Sequence, residues 1–142
     1  MAMIKRILVS TDFSDISGAG VRYACRLAGE TGAELILVNV IALDESNFVD
    51  KTELNQHKRR LDELANKAIV ETGADLKIRK IVEPGPPAGL LLELAEKERV
   101  DLLVMSSHGR SGLARILIGS VTEEVLRHAP CPVLVVPLPR EK

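Results

Sequence analysis

The chain has 142 residues, 46% of them apolar and 27% charged, which suits one globular domain with a substantial core and leaves too little for two. A formal net charge of −1 gives no electrostatic basis for binding nucleic acid or an anionic membrane, and 2% aromatic content without Trp leaves no base-stacking platform. No apolar run is long enough to span a bilayer, the opening MAMIKRILVSTDF carries no signal-peptide pattern, and Cys25 and Cys131 form neither a metal motif nor a disulfide framework, so the expected compartment is the reducing cytoplasm.

Ile4 to Ser10 (IKRILVS) is a β-branched run that predicts a first strand, ending in Thr11-Asp12-Phe13-Ser14. Ser14 or Asp15 can cap a helix to about Thr31, with Ile16, Val21, Ala24, Leu27 and Ala28 on its apolar face and Gly32 as its stop. Glu34 to Ile41 (ELILVNVI) is nearly continuous in apolar residues, the mark of a parallel strand covered on both faces. Ala42 to Thr52 is a polar loop. From Glu53 to Thr72, Leu61, Leu64, Ala65, Ala68 and Ile69 make one face of an amphipathic helix, stopped by Gly73. Asp75 to Val82 alternates as a strand nearer the sheet edge, and Pro87 closes a rigid turn and opens a helix over Ala88 to Arg99. A short buried strand, Asp101 to Met105, a helix over Val121 to His128 and a last strand, Pro132 to Val136, complete the chain.

Strands and helices therefore alternate throughout. Right-handed crossovers then give a single-domain α/β fold: an open parallel five-stranded sheet of order 3-2-1-4-5, helices on both faces, Rossmann-like. The order reverses between the first and fourth strands, where ligands bind beyond the strand C-termini. Two segments meet there, Ser10 to Ser14 and Ser106 to Gly112.

The second segment is small, polar and glycine-containing, and leads toward a helix N-terminus at Gly119-Ser120, a construction that holds phosphate through unpaired amides and the helix dipole. It lacks the Gly-Lys-Ser/Thr ending of a Walker A loop, and the first strand is not followed by the dinucleotide fingerprint. The cradle is expected from the amides of Gly109, Gly119, Ser120 and Val121 with the Ser120 hydroxyl, alongside Ser10, Thr11 and Ser106. Asp12 is suited to accept from a ribose hydroxyl, its alternative role being a cap or Asx turn. Val40 offers main-chain groups to a base edge. Arg110 and Arg115 are phosphate contacts or solvated side chains. His108 is read as a hydrogen-bonding residue, and no residue is assigned a catalytic role. His57 and His128 are expected at the surface, and Cys131 in packing.

Taken together, these residues resemble the universal stress protein family along essentially the whole chain, from IleLeuValSerThrAspPheSer to HisAlaProCysProValLeuValVal. The family's nucleotide-binding members carry Gly, any two, Gly, any nine, then Gly with Ser or Thr. Gly109, the stretch Arg110 to Ile118, and Gly119-Ser120 match it, while Ser106 stands in place of the first glycine. The resemblance implies that Asp12 contacts ribose and Val40 adenine, that the ligand is ATP (or AMP or ADP) with a divalent ion such as Mg2+ or Mn2+, and that the protein is a cytoplasmic homodimer active in stress resistance. The residues support the dimer separately, because Pro132 to Val136 is an apolar edge strand that self-pairing would cover.

Three functions fit this reading. The first is a nucleotide-dependent switch or binding module. The second is a slow ATPase or phosphoryl-transfer enzyme, with Asp12 holding a metal and His108 near the γ-phosphate. The third is a dimeric interaction protein without nucleotide, for which Ser106 is the hint.

Overall fold

Strand and helix alternate as expected: β1 (Arg6–Ser10), α1 (Asp15–Thr31), β2 (Glu34–Ile41), α2 (Lys51–Thr72), β3 (Lys77–Pro84), α3 (Pro87–Lys97), β4 (Leu102–Ser106), α4 (Ser120–His128) and β5 (Val133–Val136). The computed structural model describes residues 3–73, 75–107 and 119–137. The sheet has five strands in the order β3-β2-β1-β4-β5, and every neighbouring pair is parallel.

Helices cover both faces. On one, Val21, Ala24, Cys25 and Ala28 of α1 and Leu61, Ala65 and Ala68 of α2 pack on Ile7, Val9, Leu35, Leu37 and Val104. On the other, Ala88, Leu91, Leu94 and Ala95 of α3 and Val125 of α4 pack on Leu8, Ile36, Val38, Leu103 and Met105. Successive side chains of a strand point to opposite faces, so a central strand clothed on both must be apolar at every position. Accordingly Ile7, Leu8 and Val9 of β1 are all fully buried. β3, at the sheet edge, is mostly exposed or half-buried.

Local chemistry sets the element ends. Ser14 is extended (φ −75°, ψ 157°) and its side chain accepts from the Ser17 amide, opening α1. Gly32 turns left-handed (φ 76°) and returns its N–H to Ala28, which closes it. α2 starts two residues before the expected Glu53, because Asp50 accepts from the Glu53 amide at 2.8 Å and caps it. β1 starts later than Ile4, since the amides of Lys5 and Arg6 donate to the Asp101 carboxylate. β3 runs on to Pro84, which has no N–H to offer and pairs opposite Ile41 at the strand end. α3 stops at Lys97, and Arg99 is left-handed (φ 51°).

Cys25 sits in the α1 layer, 1% exposed, and its thiol is pushed up from 9.0 to about 11, first by burial and then by the charge of Glu71. An acid whose pKa is raised on folding keeps its proton in the native state while the unfolded chain loses it. Its contribution is therefore complete below about pH 9 and is lost as the pH rises toward 11. Urea midpoints measured from pH 8 to 11 are expected to fall across that window, and to fall less steeply for Cys25→Ala.

Candidate functional site

β1 and β4 lie side by side, but the helices that follow them cover opposite faces, α1 one and α4 the other. The chain thus diverges beyond the C-terminal ends of both strands and leaves a crevice of about 540 Å3, within the usual range for small-molecule sites. Of the residues expected there, Ser10, Thr11, Asp12, Val40, Ser106, Gly119, Ser120 and Val121 line this cavity. His108, Gly109 and Arg110, with Arg115, lie outside the described residues.

The β1–α1 segment is built by short-range hydrogen bonds. The Thr11 amide donates to the Val38 carbonyl at 2.9 Å, and its hydroxyl meets that of Ser17 at 3.0 Å and accepts from the Phe13 amide at 3.0 Å. Asp12 Oδ1 accepts from both the amide and the hydroxyl of Ser14. Asp12 therefore makes the Asx turn considered as its structural alternative while also lining the crevice. Phe13 between them is left-handed (φ 66°), a rare conformation for a bulky side chain. Its ring is held from α2: the Arg60 guanidinium carbon lies 4.3 Å from the ring centroid and the His57 ring 5.8 Å away.

His57 is the clearest correction to the sequence reading. It is half-buried in the crevice wall, not a surface residue, and its Nδ1 lies 2.8 Å from Asn39 Oδ1. Asn39, 2% exposed, donates its Nδ2 to the Thr11 carbonyl at 2.9 Å. That bond orients the amide, so Oδ1 can only accept and His57 Nδ1 carries the proton. A chain of hydrogen bonds thus runs from α2 through β2 to the segment that carries Asp12. Asn39→Ala would strip the Thr11 carbonyl and His57 Nδ1 of their shared partner. We expect a loss of about 1–3 kcal/mol of unfolding free energy, read from urea titration, and a smaller loss for His57→Ala, whose half-exposed site water can enter.

On the opposite wall α4 begins at Ser120, one residue before the expected Val121. Its N-cap, Gly119, is extended (φ −61°, ψ 154°) and gives the helix no side-chain cap. The amides of the first turn, Ser120, Val121 and Thr122, have no carbonyl partner within the helix and carry the positive end of its dipole. The Gly119 amide differs: it donates to the Ser107 carbonyl at 2.9 Å, which closes the loop and removes that amide from the expected cradle. Ser106 also departs from expectation, because its hydroxyl is turned onto α1, accepting from the Gly20 amide and donating to the Ser17 carbonyl. Ser10 directs its hydroxyl to Met105 Sδ at 3.6 Å. Cys131 is half-buried at the edge of the second core layer, its thiol pushed up by burial and by Asp101, in keeping with a packing role.

Asn39, His57, Phe13 and Arg60 were absent from the expected site. Asn39 did leave a trace, as the one amide inside an otherwise apolar strand. His57 and Arg60 left none, since nothing in a charged helix face tells which positions overhang a crevice. Among the described residues, no three His, Cys, Asp or Glu side chains gather to hold a metal ion, and no helix is long and apolar enough to cross a membrane.

Residues 3–137 match the universal stress protein family. The chain belongs to that family. Universal stress protein MJ0531 of Methanocaldococcus jannaschii is 35% identical over 99% of this chain and 86% of its own length, and MJ0577 of the same organism is 32% identical over 94% and 95%. Among solved structures, that of MJ0577 superposes with a TM-score of 0.72 over 98% of this chain and 99% of its own, at 30% identity. A universal stress protein solved in complex with cAMP superposes with a TM-score of 0.69 over 94% and 96%, also at 30% identity. As a universal stress protein, the chain has the single-domain α/β fold of its relatives, with the crevice at the point where the strand order reverses.

Proposed function

We propose that this universal stress protein binds an adenine nucleotide in the crevice and works as a nucleotide-dependent switch or binding module in the stress response. The observation that carries the reading is the N-terminus of α4, whose N-cap Gly119 supplies no side-chain cap, lining the crevice with the Asp12 segment at the point where the strand order reverses. It offers a phosphate the amides of Ser120 and Val121 and the Ser120 hydroxyl, while Asp12 accepts from ribose and the Val40 main chain meets the base. The cAMP complex of a relative at 30% identity supports the same class of ligand.

ATP, ADP and AMP share the parts this site would grip. A divalent ion such as Mg2+ would arrive on the phosphates, as is usual for Mg2+ with nucleotides, because the described residues form no cage of their own. We place the protein in the cytoplasm as a homodimer, paired through β5, whose four residues are half-buried and whose flanks, Pro132 and Pro137, limit further strand addition. Sedimentation velocity at twice the chain mass is the expected result for the dimer.

Thermal unfolding with ATP, ADP, AMP and cAMP tests the nucleotide reading. A ligand at a hundred times its Kd contributes about 2.7 kcal/mol, a rise in Tm of about 5–10 °C for a chain of this size. No shift with any of the four would remove the reading.

A further inference from the structure

Ser106 ends β4 with its side chain on the α1 face of the sheet. Its hydroxyl accepts from the Gly20 amide at 3.2 Å and donates to the Ser17 carbonyl at 3.3 Å, and its carbonyl accepts from the Thr122 hydroxyl at 3.0 Å. One residue thereby ties α1 and α4, which lie on opposite faces, to the strand end beneath the crevice. Space for the hydroxyl comes from residue 20. A Cβ on Gly20 would stand 2.8 Å from Ser106 Oγ, closer than side chains tolerate, but 3.4 Å and 3.5 Å from the nearest backbone atoms, where little has to move. Gly20 is also costly where it stands, inside α1, since glycine is a poor helix residue.

We propose that Gly20 and Ser106 are a matched pair: the absent side chain at residue 20 gives the Ser106 hydroxyl a place on α1, and so keeps it out of the path of a nucleotide. Serine stands where the family pattern has the first glycine of the phosphate loop, a residue whose lack of a side chain lets an anion approach the main chain. Here the hydroxyl, though not the Cβ, is kept clear by holding the serine side chain in one staggered rotamer through two helix groups. A methyl group at residue 20 denies that rotamer, breaks both bonds to α1 and turns the hydroxyl toward the crevice that Ser106 lines.

The inference rests on the nucleotide reading of the crevice, and a single and a double variant beside the parent separate the two. Calorimetric titration with ATP and with cAMP is carried out on the parent, Gly20→Ala and Gly20→Ala/Ser106→Gly. The expected result is parental binding, a loss of about tenfold in Gly20→Ala, and recovery to within about threefold in the double variant, where no hydroxyl remains to displace. The titrations are run well below the Tm of every variant, measured on the same samples, so poor folding of the single variant cannot imitate the rescue. Parental affinity in Gly20→Ala, or equal loss in both variants, would overturn the pairing while leaving the nucleotide reading intact. Absence of binding in the parent would overturn the nucleotide reading and the inference with it. A crystal structure of Gly20→Ala with the Ser106 hydroxyl still on the Ser17 carbonyl would overturn the pairing irrespective of ligand.

Discussion

Asp12→Ala is expected to weaken adenine-nucleotide binding by about 10- to 100-fold, the consequence of losing a hydrogen bond to an ionised acceptor worth about 1.5–3 kcal/mol. The same change removes the Oδ1 atom that accepts from the Ser14 amide and hydroxyl, so Tm should fall as well. Asp12→Asn separates the two effects. An amide oxygen can still accept from Ser14, whereas the negative charge offered to a ribose hydroxyl is gone. Its Tm is expected to stay near the parent's while its affinity falls by several-fold, with calorimetry and thermal unfolding read on the same samples. Parental affinity in both variants would return Asp12 to a purely structural role.

Leu37→Ala is expected to be the most damaging of the substitutions considered for stability. Leu37 is fully buried in the middle of β2, flanked in the sheet by Val9 of β1 and Lys80 of β3, in the core layer beneath α1 and α2. Truncation removes three carbons from a site that two parallel neighbours hold rigid, so the space cannot close. A loss of about 2–5 kcal/mol follows, or about 6–20 °C in Tm. Val70→Ala is the control: Val70 is 80% exposed on α2, and its truncation should move Tm little. A loss below 1 kcal/mol at Leu37, on the order expected for a surface site, would mean that this layer is packed more loosely than the structure indicates.

Much of the fold was legible in the chain because each strand and helix announces itself locally. β2 is an apolar run interrupted only by Asn39 after its first residue, α1 and α2 end on Gly32 and Gly73, and Pro87 opens α3. Once the alternation is read, the right-handed crossover leaves few topologies, and the order 3-2-1-4-5 follows together with the place of the crevice. The element ends were less legible. The start of α2 depended on Asp50 becoming its cap, and the end of β3 on pairing opposite Ile41, a contact made forty-three residues away along the chain.

The crevice was legible at the two strand-end segments that meet there, at the helix N-terminus beyond them and at Val40. Asp12 and Ser120 stand at positions where topology alone brings strand ends and a helix N-terminus together. His57 and Arg60 come from the third wall, α2, whose pitch over the sheet is set by packing of Leu61 and Ala65 and not by any motif. Gly119 and Ser106 show the opposite limit. Gly119 fits the phosphate-loop pattern and Ser106 takes the place of its first glycine, yet the Gly119 amide is paired with Ser107 and the Ser106 hydroxyl with α1, and no spacing rule reports where a hydrogen bond has already been made.

The most direct test of nucleotide binding is mass spectrometry of the small molecules released when freshly purified protein is denatured. An adenine nucleotide is expected in near-stoichiometric amount from the parent, with a marked reduction from Asp12→Ala. Protein that releases none, and that takes up neither ATP nor cAMP when they are added, would contradict it.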